Sequence, residues 1–196
     1  MTARTPRKRT NGDRKLVKLH LGCGKRHIPG FLHVDSTRFT HVDFVQDIRS
    51  LVNFRDQSAS LVYACQVIEY FDREELPNVL REWRRVLCPG GILRLSVPDF
   101  AVIMKLYGAG LKLEWFLGTL YGRIPDGGGG YIYHRTTFDE ASLRDVLLSA
   151  GFLRPEKWNW RDTEHAYVDD FSQAYFPHME KEKGIQFNLN MQATRP

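Results

Sequence analysis

The sequence predicts an α/β fold, with a Rossmann-like, doubly wound and mostly parallel sheet of about seven strands. Short apolar runs alternate along the chain with segments that have helical periodicity, as in a sheet covered on both faces by helices. The length of 196 residues is typical of one such domain. The candidate site residues follow the ends of predicted strands, where α/β folds bind their ligands.

Seven strands are predicted from runs of β-forming residues that end at glycine, proline or polar residues. The first stops at Gly22 and the second ends with the carboxylate of Asp35. A pair at the C-terminal end completes the sheet. The predicted strands cover residues 15–21, 31–35, 42–45, 61–65, 91–97, 154–160 and 185–192.

Two helices are clear from apolar residues at helical spacing. The first runs from Leu76 to Leu87, and Asp72 with Glu75 resembles a capping box before it. The second follows Thr137, which is spaced from Glu140 as in a capping box. Residues 88–91, Cys-Pro-Gly-Gly, should end the first helix and turn the chain into the fifth strand.

The net charge of +5 is concentrated near the N-terminus. We predict that residues 1–14 are a disordered basic tail and that residues 15–196 are a single domain. The rest of the chain is close to neutral, so we expect no nucleic-acid partner for the folded body. The tail is interpreted as a solvated segment, with a weak nucleic-acid contact as the alternative.

The cysteines Cys23, Cys65 and Cys88 are widely spaced and odd in number. They form neither a disulfide framework nor a zinc pattern, so we predict no metal and a reducing, cytoplasmic setting. No apolar run is long enough to span a bilayer, and the basic start lacks the apolar stretch of a secretory signal.

A nucleotide-type site is indicated where the first two strands end. Gly22 and Gly24 let the main chain turn sharply and let a ligand approach it closely. Asp35 could accept hydrogen bonds from both hydroxyls of a ribose. The glycine pair alone is equally consistent with a turn that binds nothing. An NAD(P)-dependent reductase is disfavoured, because His27 replaces the third glycine of the dinucleotide fingerprint and the gap before the second strand is too short for a helix.

Several segments together resemble the class I S-adenosylmethionine-dependent methyltransferases, in particular the small methyltransferase type 11-like group with a shortened first crossover. The resemblance runs from about residue 15 to the C-terminus, and it implies a sheet with an antiparallel C-terminal strand. It is carried by residues 19–24, 29–35, 45–48, 62–70, 80–99 and 150–152, together with His134.

The resemblance implies S-adenosyl-L-methionine as cofactor. In this family the glycine turn would face the methionine part, and the carboxylate after the second strand would hold the ribose. Asp47 and Ile48, after the third strand, would border the adenine, and the residues at the end of the fourth strand would line the cofactor. The two cysteines among these residues could equally be packing residues. The implied cofactor-binding residues are Leu21, Gly22, Cys23, Gly24, Asp35, Ser36, Asp47, Ile48, Cys65, Gln66 and Val67.

The resemblance further implies a methyltransferase that acts on a small-molecule or glycan acceptor, and we expect transfer to oxygen. His134 and Asp99 are the candidate catalytic residues; a structural hydrogen bond and a helix cap are the alternatives. Residues 100–135 are predicted to form a lid or substrate insertion. Tyr70 stands where the family often has histidine, which puts a catalytic role there in doubt. The rival function is a non-catalytic S-adenosylmethionine-binding or partner-binding domain with the same fold.

Overall fold

A computed structural model describes residues 16–126, 128–178 and 180–196. The predicted disordered tail, residues 1–14, lies outside this part of the chain. The strands are β1 (Val17–Leu21), β2 (Leu32–Asp35), β3 (Phe44–Val45), β4 (Ala59–Cys65), β5 (Leu87–Pro98), β6 (Ile124–Pro125), β7 (Tyr131–Ile132), β8 (Leu153–Lys157), β9 (Tyr175–Phe176), β10 (Ile185–Gln186) and β11 (Asn188–Thr194). The helices are α1 (Leu76–Val86), α2 (Phe100–Gly108), α3 (Leu117–Tyr121) and α4 (Glu140–Ser149).

Seven of these strands form one sheet in the order β3-β2-β1-β4-β5-β11-β8. The pairs among β1 to β5 are parallel, and β11 runs antiparallel to both of its neighbours, β5 and β8. The predicted fold class is therefore confirmed, including the antiparallel C-terminal strand. Two small antiparallel pairs, β6 with β7 and β9 with β10, lie outside this sheet.

The structure corrects the predicted starts of two elements and the predicted cap of a third. The strand β5 begins at Leu87, because this residue already pairs with Ala59, so the Cys-Pro-Gly-Gly segment belongs to the strand rather than to a separate turn. Helix α1 has proline in its first turn and no side-chain cap from Glu75. Helix α4 begins at Glu140, two residues later than a cap at Thr137 would place it, and its capping box joins Asp139 to Ser142.

The first face of the sheet is apolar. Alternate strand residues such as Leu19, Val62 and Leu93 point towards α1 and α4, since successive side chains of a strand point to opposite faces. Trp83 of α1 lies at the centre of this layer with no exposed surface, and its indole N–H donates to the carbonyl of Ile48 at 2.8 Å. The core of the domain is this layer between sheet and helices.

The opposite face is more polar and carries His20, His33 and Tyr63. The connection from β1 to β2 contains no helix that could cover it. Residues 158–174, which belong to the long connection between β8 and β11, pack there instead. Trp158 joins the cluster around Tyr63 and donates its indole N–H to a β5 carbonyl at 2.9 Å.

Residues 100–135 contain α2, α3 and the pair β6–β7. Ile103, Leu106 and Phe116 pack together, with Phe176 and Phe187 at their edge. Much of the remaining apolar surface of this segment is exposed. Its interpretation as a lid stays a prediction. Among the described residues, no helix is long and apolar enough to cross a bilayer.

Replacing Trp83 by alanine should lower the free energy of unfolding by about 3–5 kcal/mol, because it leaves a large cavity in the apolar layer and an unpaired carbonyl. Urea unfolding monitored by circular dichroism measures this change. Val52→Ala is the control, since Val52 is 78% exposed and its truncation should change little. Equal stabilities of the two variants would contradict the placement of Trp83 in the core.

Candidate functional site

A cavity of about 790 Å3 lies at the carboxyl ends of β1 and β4. Parts of the chain that are distant in sequence form its walls: the turn after β1, the end of β4, residues 115–124 with His134, residues 170–178, and the start of β11. Its lining includes Gly22, Cys23, Gly24, Lys25, Arg26, Cys65, Gln66, Tyr70, Trp115, Arg123, His134, Asp170, Phe171, Tyr175 and His178.

The turn after β1 requires glycine at its first position. Gly22 has φ +61°, and a Cβ there would lie 2.6 Å from Cγ2 of Val67. Gly24 has φ +51°, and no atom lies within 4 Å of the place a Cβ would occupy. The main chain is thus pressed against the end of β4 at Gly22 and open to a ligand at Gly24.

Asp35, at the end of β2, holds this turn in place. Its Oδ2 accepts the backbone N–H of Gly24 at 2.8 Å, and its Oδ1 accepts that of Thr37 at 2.8 Å. Each carboxylate oxygen keeps a second lone pair, so hydroxyls of a ligand could still be accepted. Asp35 is 9% exposed and lies beside the cavity rather than in its lining.

Gln66 follows β4 and shows two features of a binding site. Its φ is +57°, a conformation that is strained for a residue other than glycine. Its side-chain Nε2 is buried without a hydrogen-bond partner, although Gln66 lines the cavity. A buried donor that lacks a protein partner beside a cavity fits a ligand that would accept from it.

The other implied cofactor residues do not all converge on the cavity. The side chain of Leu21 is buried in the apolar layer, and Val67 packs behind Gly22. Ser36 is exposed outside the lining. None of these three side chains is placed to contact a ligand in the cavity, so only their backbone groups could do so.

Asp47 and Ile48 follow β3, away from the cavity lining. Both carboxylate oxygens of Asp47 accept hydrogen bonds from Arg49, which holds the pKa of this carboxyl below its usual range. Ile48 packs against the apolar layer. An adenine contact at these residues remains a prediction, and Arg49 competes for the carboxylate.

Cys23 and Cys65 line the cavity as neutral thiols. Burial raises the pKa of Cys23 to about 12, and it raises the pKa of Cys65 well above its usual value. Since the thiolate is the reactive form, these residues are better suited to packing than to nucleophilic chemistry.

His134 faces the cavity from the loop after β7. Its Nδ1 lies 3.0 Å from the carbonyl oxygen of Thr119, which can only accept, so Nδ1 carries the proton. No described residue forms a hydrogen bond with Nε2. Burial lowers the pKa of the imidazole, which keeps the ring neutral at pH 7. Gly122 allows this position, because a Cβ there would lie 2.6 Å from Nε2.

Asp99 occupies a different place. It is the N-cap of α2, and its Oδ1 accepts the N–H groups of Ala101 at 3.0 Å and Val102 at 3.4 Å. It is absent from the cavity lining, and burial raises its pKa. The structure therefore favours the helix-cap interpretation of Asp99, which was the alternative to catalysis.

Sequence reasoning missed several groups in the cavity lining. Asp170 belongs to a segment without any motif, and no local signal connects it with β1 or β4. Arg123 had no signal either. Lys25 and Arg26 directly follow the glycine turn, and this position was a usable indication. Within the described ranges, no group of three ligating side chains could hold a metal ion.

Glu69, next to the cavity residue Tyr70, is a buried ionisable group. It is 1% exposed, and neither carboxyl oxygen has a hydrogen-bond partner. Burial raises its pKa to about 8. Its backbone carbonyl accepts the N–H groups of Arg135 and Thr136, which ties the segment that follows His134 to the end of β4.

A methyltransferase-domain family model matches residues 27–95 of the chain. This stretch contains β2 to β4, helix α1 and most of β5. This match bears out the resemblance to S-adenosylmethionine-dependent methyltransferases, which implies S-adenosylmethionine as the cofactor. No curated protein sequence matches the chain.

Solved structures share the fold at low sequence identity. An S-adenosylmethionine-dependent methyltransferase of Thermotoga maritima is 14% identical, with a TM-score of 0.59 over 93% of this chain and 83% of that one. The methyltransferase in a complex with the Trm112 activator of Haloferax volcanii is 16% identical, with a TM-score of 0.54 over 96% and 85%.

A third similar structure has the demethylated cofactor bound. It is the 1,6-didemethyltoxoflavin-N1-methyltransferase of Burkholderia thailandensis, solved with 1,6-didemethyltoxoflavin and S-adenosylhomocysteine. It is 13% identical, with a TM-score of 0.52 over 93% of this chain and 72% of that one. At these identities the likeness shows the fold.

Glu69 should make stability depend on pH. Because its pKa is raised to about 8, the folded state binds a proton that the unfolded state has released above about pH 4.5. The free energy of unfolding of the wild type, relative to Glu69→Gln, should therefore fall as the pH rises from about 5 to about 8. Urea unfolding across this range measures it. Parallel curves for the two proteins would show that Glu69 is not held in its protonated form.

Asp35→Asn should weaken the binding of S-adenosylhomocysteine about tenfold or more. The charge is lost, and one of the two acceptors for Gly24 and Thr37 becomes a donor. Isothermal titration calorimetry measures the affinity, and a thermal melt checks the fold. Asp56→Asn is the control, since Asp56 is exposed and remote from the cavity. Unchanged affinity in Asp35→Asn would exclude a ribose contact at Asp35.

Proposed function

We propose that this protein transfers the methyl group of S-adenosylmethionine to a hydroxyl group of a small-molecule or glycan acceptor, with His134 as the general base. One observation carries the proposal. The neutral imidazole of His134 presents an unpaired Nε2 to the same cavity that the glycine turn lines.

The cofactor end of the cavity fits an adenosyl compound. The open backbone at Gly24, the remaining lone pairs of Asp35 and the unpaired amide of Gln66 would hold it. When bound, S-adenosylmethionine supplies a methyl group that is already activated on a sulfonium. The protein then has to align an acceptor and remove its proton, rather than activate the methyl group itself.

His134 is suited to removing that proton. The hydrogen bond from Nδ1–H to the Thr119 carbonyl fixes both the tautomer and the ring orientation, and it leaves the lone pair on Nε2. The ring of Tyr70 packs edge-on against the imidazole, with 4.5 Å between centroids. A proton from an acceptor hydroxyl would pass to Nε2 as the oxygen attacks the methyl group.

The remaining walls suit a molecule with ring faces and hydroxyl groups. Trp115, Phe171 and Tyr175 line the cavity with aromatic surface. The Cζ atom of Arg123 lies 3.4 Å from the ring centroid of Tyr131, and this contact holds a cation in the cavity lining. We propose that residues 100–135 act as a lid over the acceptor, since they supply Trp115, Arg123 and the loop that carries His134.

The alternative is a domain that binds S-adenosylmethionine without catalysis. The methyltransferase of Haloferax volcanii was solved in a complex with the Trm112 activator, so a domain of this fold can bind a protein partner. Such a domain would bind S-adenosylhomocysteine and show no turnover with any acceptor. The unpaired Nε2 of His134 in the cavity favours the enzyme.

His134→Gln should reduce turnover by about a hundredfold or more with little change in the affinity for S-adenosylhomocysteine, because it removes the base and keeps the polar contact. Release of S-adenosylhomocysteine, measured over a panel of hydroxylated glycans and small molecules, identifies an acceptor and gives kcat. In the wild type kcat should fall on acidification, with a midpoint below the usual histidine pKa, as His134 becomes protonated.

His178→Gln is the matched control, since His178 also lines the cavity but is exposed at its rim. It should retain the acid limb of the pH profile, which His134→Gln should lose. Unchanged turnover in His134→Gln would exclude His134 as the base. Binding of the cofactor product without turnover over the whole panel would support the non-catalytic domain instead.

A further inference from the structure

Asp170 is a buried carboxylate that the proposed mechanism does not use. It is 7% exposed and lines the cavity. The Tyr63 hydroxyl donates to its Oδ2 at 2.6 Å, and the Ser172 backbone N–H donates to its Oδ1 at 2.9 Å. No described residue forms a salt bridge with it, and burial keeps the nearby His165 neutral by lowering its pKa. A buried carboxylate without a cation is costly, unless a ligand brings one.

Asp170 lies on the face of the sheet that leads to the glycine turn, and both line the same cavity. Tyr63 of β4 pairs with His20 of β1, so their side chains lie on the same face. Gly22, directly after β1, and Cys65, the last residue of β4, follow two residues later, and both line the cavity. Asp170 is fixed to the Tyr63 hydroxyl at this point, above the ends of β1 and β4.

The strand order also sets the direction of a bound adenosyl group. Asp35 ends β2, and β1 separates β2 from β4. When the ribose is held at Asp35, the part of the molecule beyond C5′ therefore lies over the ends of β1 and β4, in the cavity. In S-adenosylmethionine that part is a zwitterionic amino acid with one ammonium and one carboxylate group.

We infer that Asp170 binds the ammonium group of the methionine end of the cofactor. This inference rests on the proposed function, because it requires an adenosyl cofactor at Asp35. The ammonium neutralises the otherwise unpaired carboxylate, and the Tyr63 and Ser172 donors hold that carboxylate in position. Lys25 and Arg26 line the same cavity, so a positively charged side chain is present to bind the carboxylate of the zwitterion.

The experiment compares two ligands in wild type and Asp170→Asn by calorimetry. S-adenosylhomocysteine contains the amino acid end, whereas methylthioadenosine contains the adenosyl group without it. Asp170→Asn should bind S-adenosylhomocysteine about 10- to 100-fold more weakly. It should bind methylthioadenosine within about twofold of the wild type. Where methylthioadenosine binds too weakly to measure, the analogue of S-adenosylhomocysteine that lacks only the amino group replaces it.

Asp169→Asn is the matched control. Asp169 is the exposed neighbour that pairs with Lys181 outside the cavity, so its variant should bind both ligands as the wild type does. Asparagine at position 170 still offers an oxygen to the Tyr63 hydroxyl, and a thermal melt confirms that each variant is folded.

The outcomes separate this inference from the proposed function. If the wild type binds neither S-adenosylhomocysteine nor the other adenosyl ligands, the proposed function fails. If the wild type binds S-adenosylhomocysteine and Asp170→Asn retains that affinity, only the role of Asp170 is overturned. Equal losses for both ligands would also overturn it, since a general distortion of the site would then explain them. Lost turnover at unchanged affinity would assign Asp170 to the acceptor.

Discussion

The hydrogen bond between the Tyr63 hydroxyl and Asp170 joins two parts of the chain that the site needs together. Tyr63 belongs to the parallel sheet, and Asp170 belongs to the connection between β8 and β11. The link from β1 to β2 contains no helix, so one face of the sheet would otherwise be open. Residues 158–174 cover that face, and the Tyr63 bond fixes their end at the mouth of the cavity. Because no helix between β1 and β2 covers this face, residues 158–174 cover it and bring Asp170 into the cavity lining.

Under the proposed function, the cavity has a cofactor end and an acceptor end, and the two are formed by different kinds of chain segment. The cofactor end comes from neighbouring strand ends, where Gly22 is pressed against Val67 and Asp35 holds the backbone of Gly24. The acceptor end of the proposed site comes from distant segments, which bring His134 into the lining of the same cavity. The carboxyl ends of parallel strands meet at one edge, so the first end follows directly from the sheet. The second depends on how the long connections pack.

Several polar groups around the cavity are buried at a cost. Gln66 combines a positive φ with an unpaired side-chain N–H group, and the buried carboxyl group of Glu69 has no hydrogen-bond partner. Unsatisfied polar groups and strained backbone concentrate at functional sites, where a ligand or a proton can relieve them. The apolar layer around Trp83, on the other face of the sheet, contributes the folding free energy that offsets these costs.

The sequence by itself determined the α/β class of the fold, the glycine turn after β1 and the position of the Asp35 carboxylate at the end of β2. These features are local, because periodicity and strand-end residues act over a few positions. Only the tertiary structure decided that Asp99 caps a helix while His134 reaches the cavity with a free Nε2. It alone brought Asp170 to β4, since contacts between segments about a hundred residues apart depend on packing across the sheet, which no local pattern encodes.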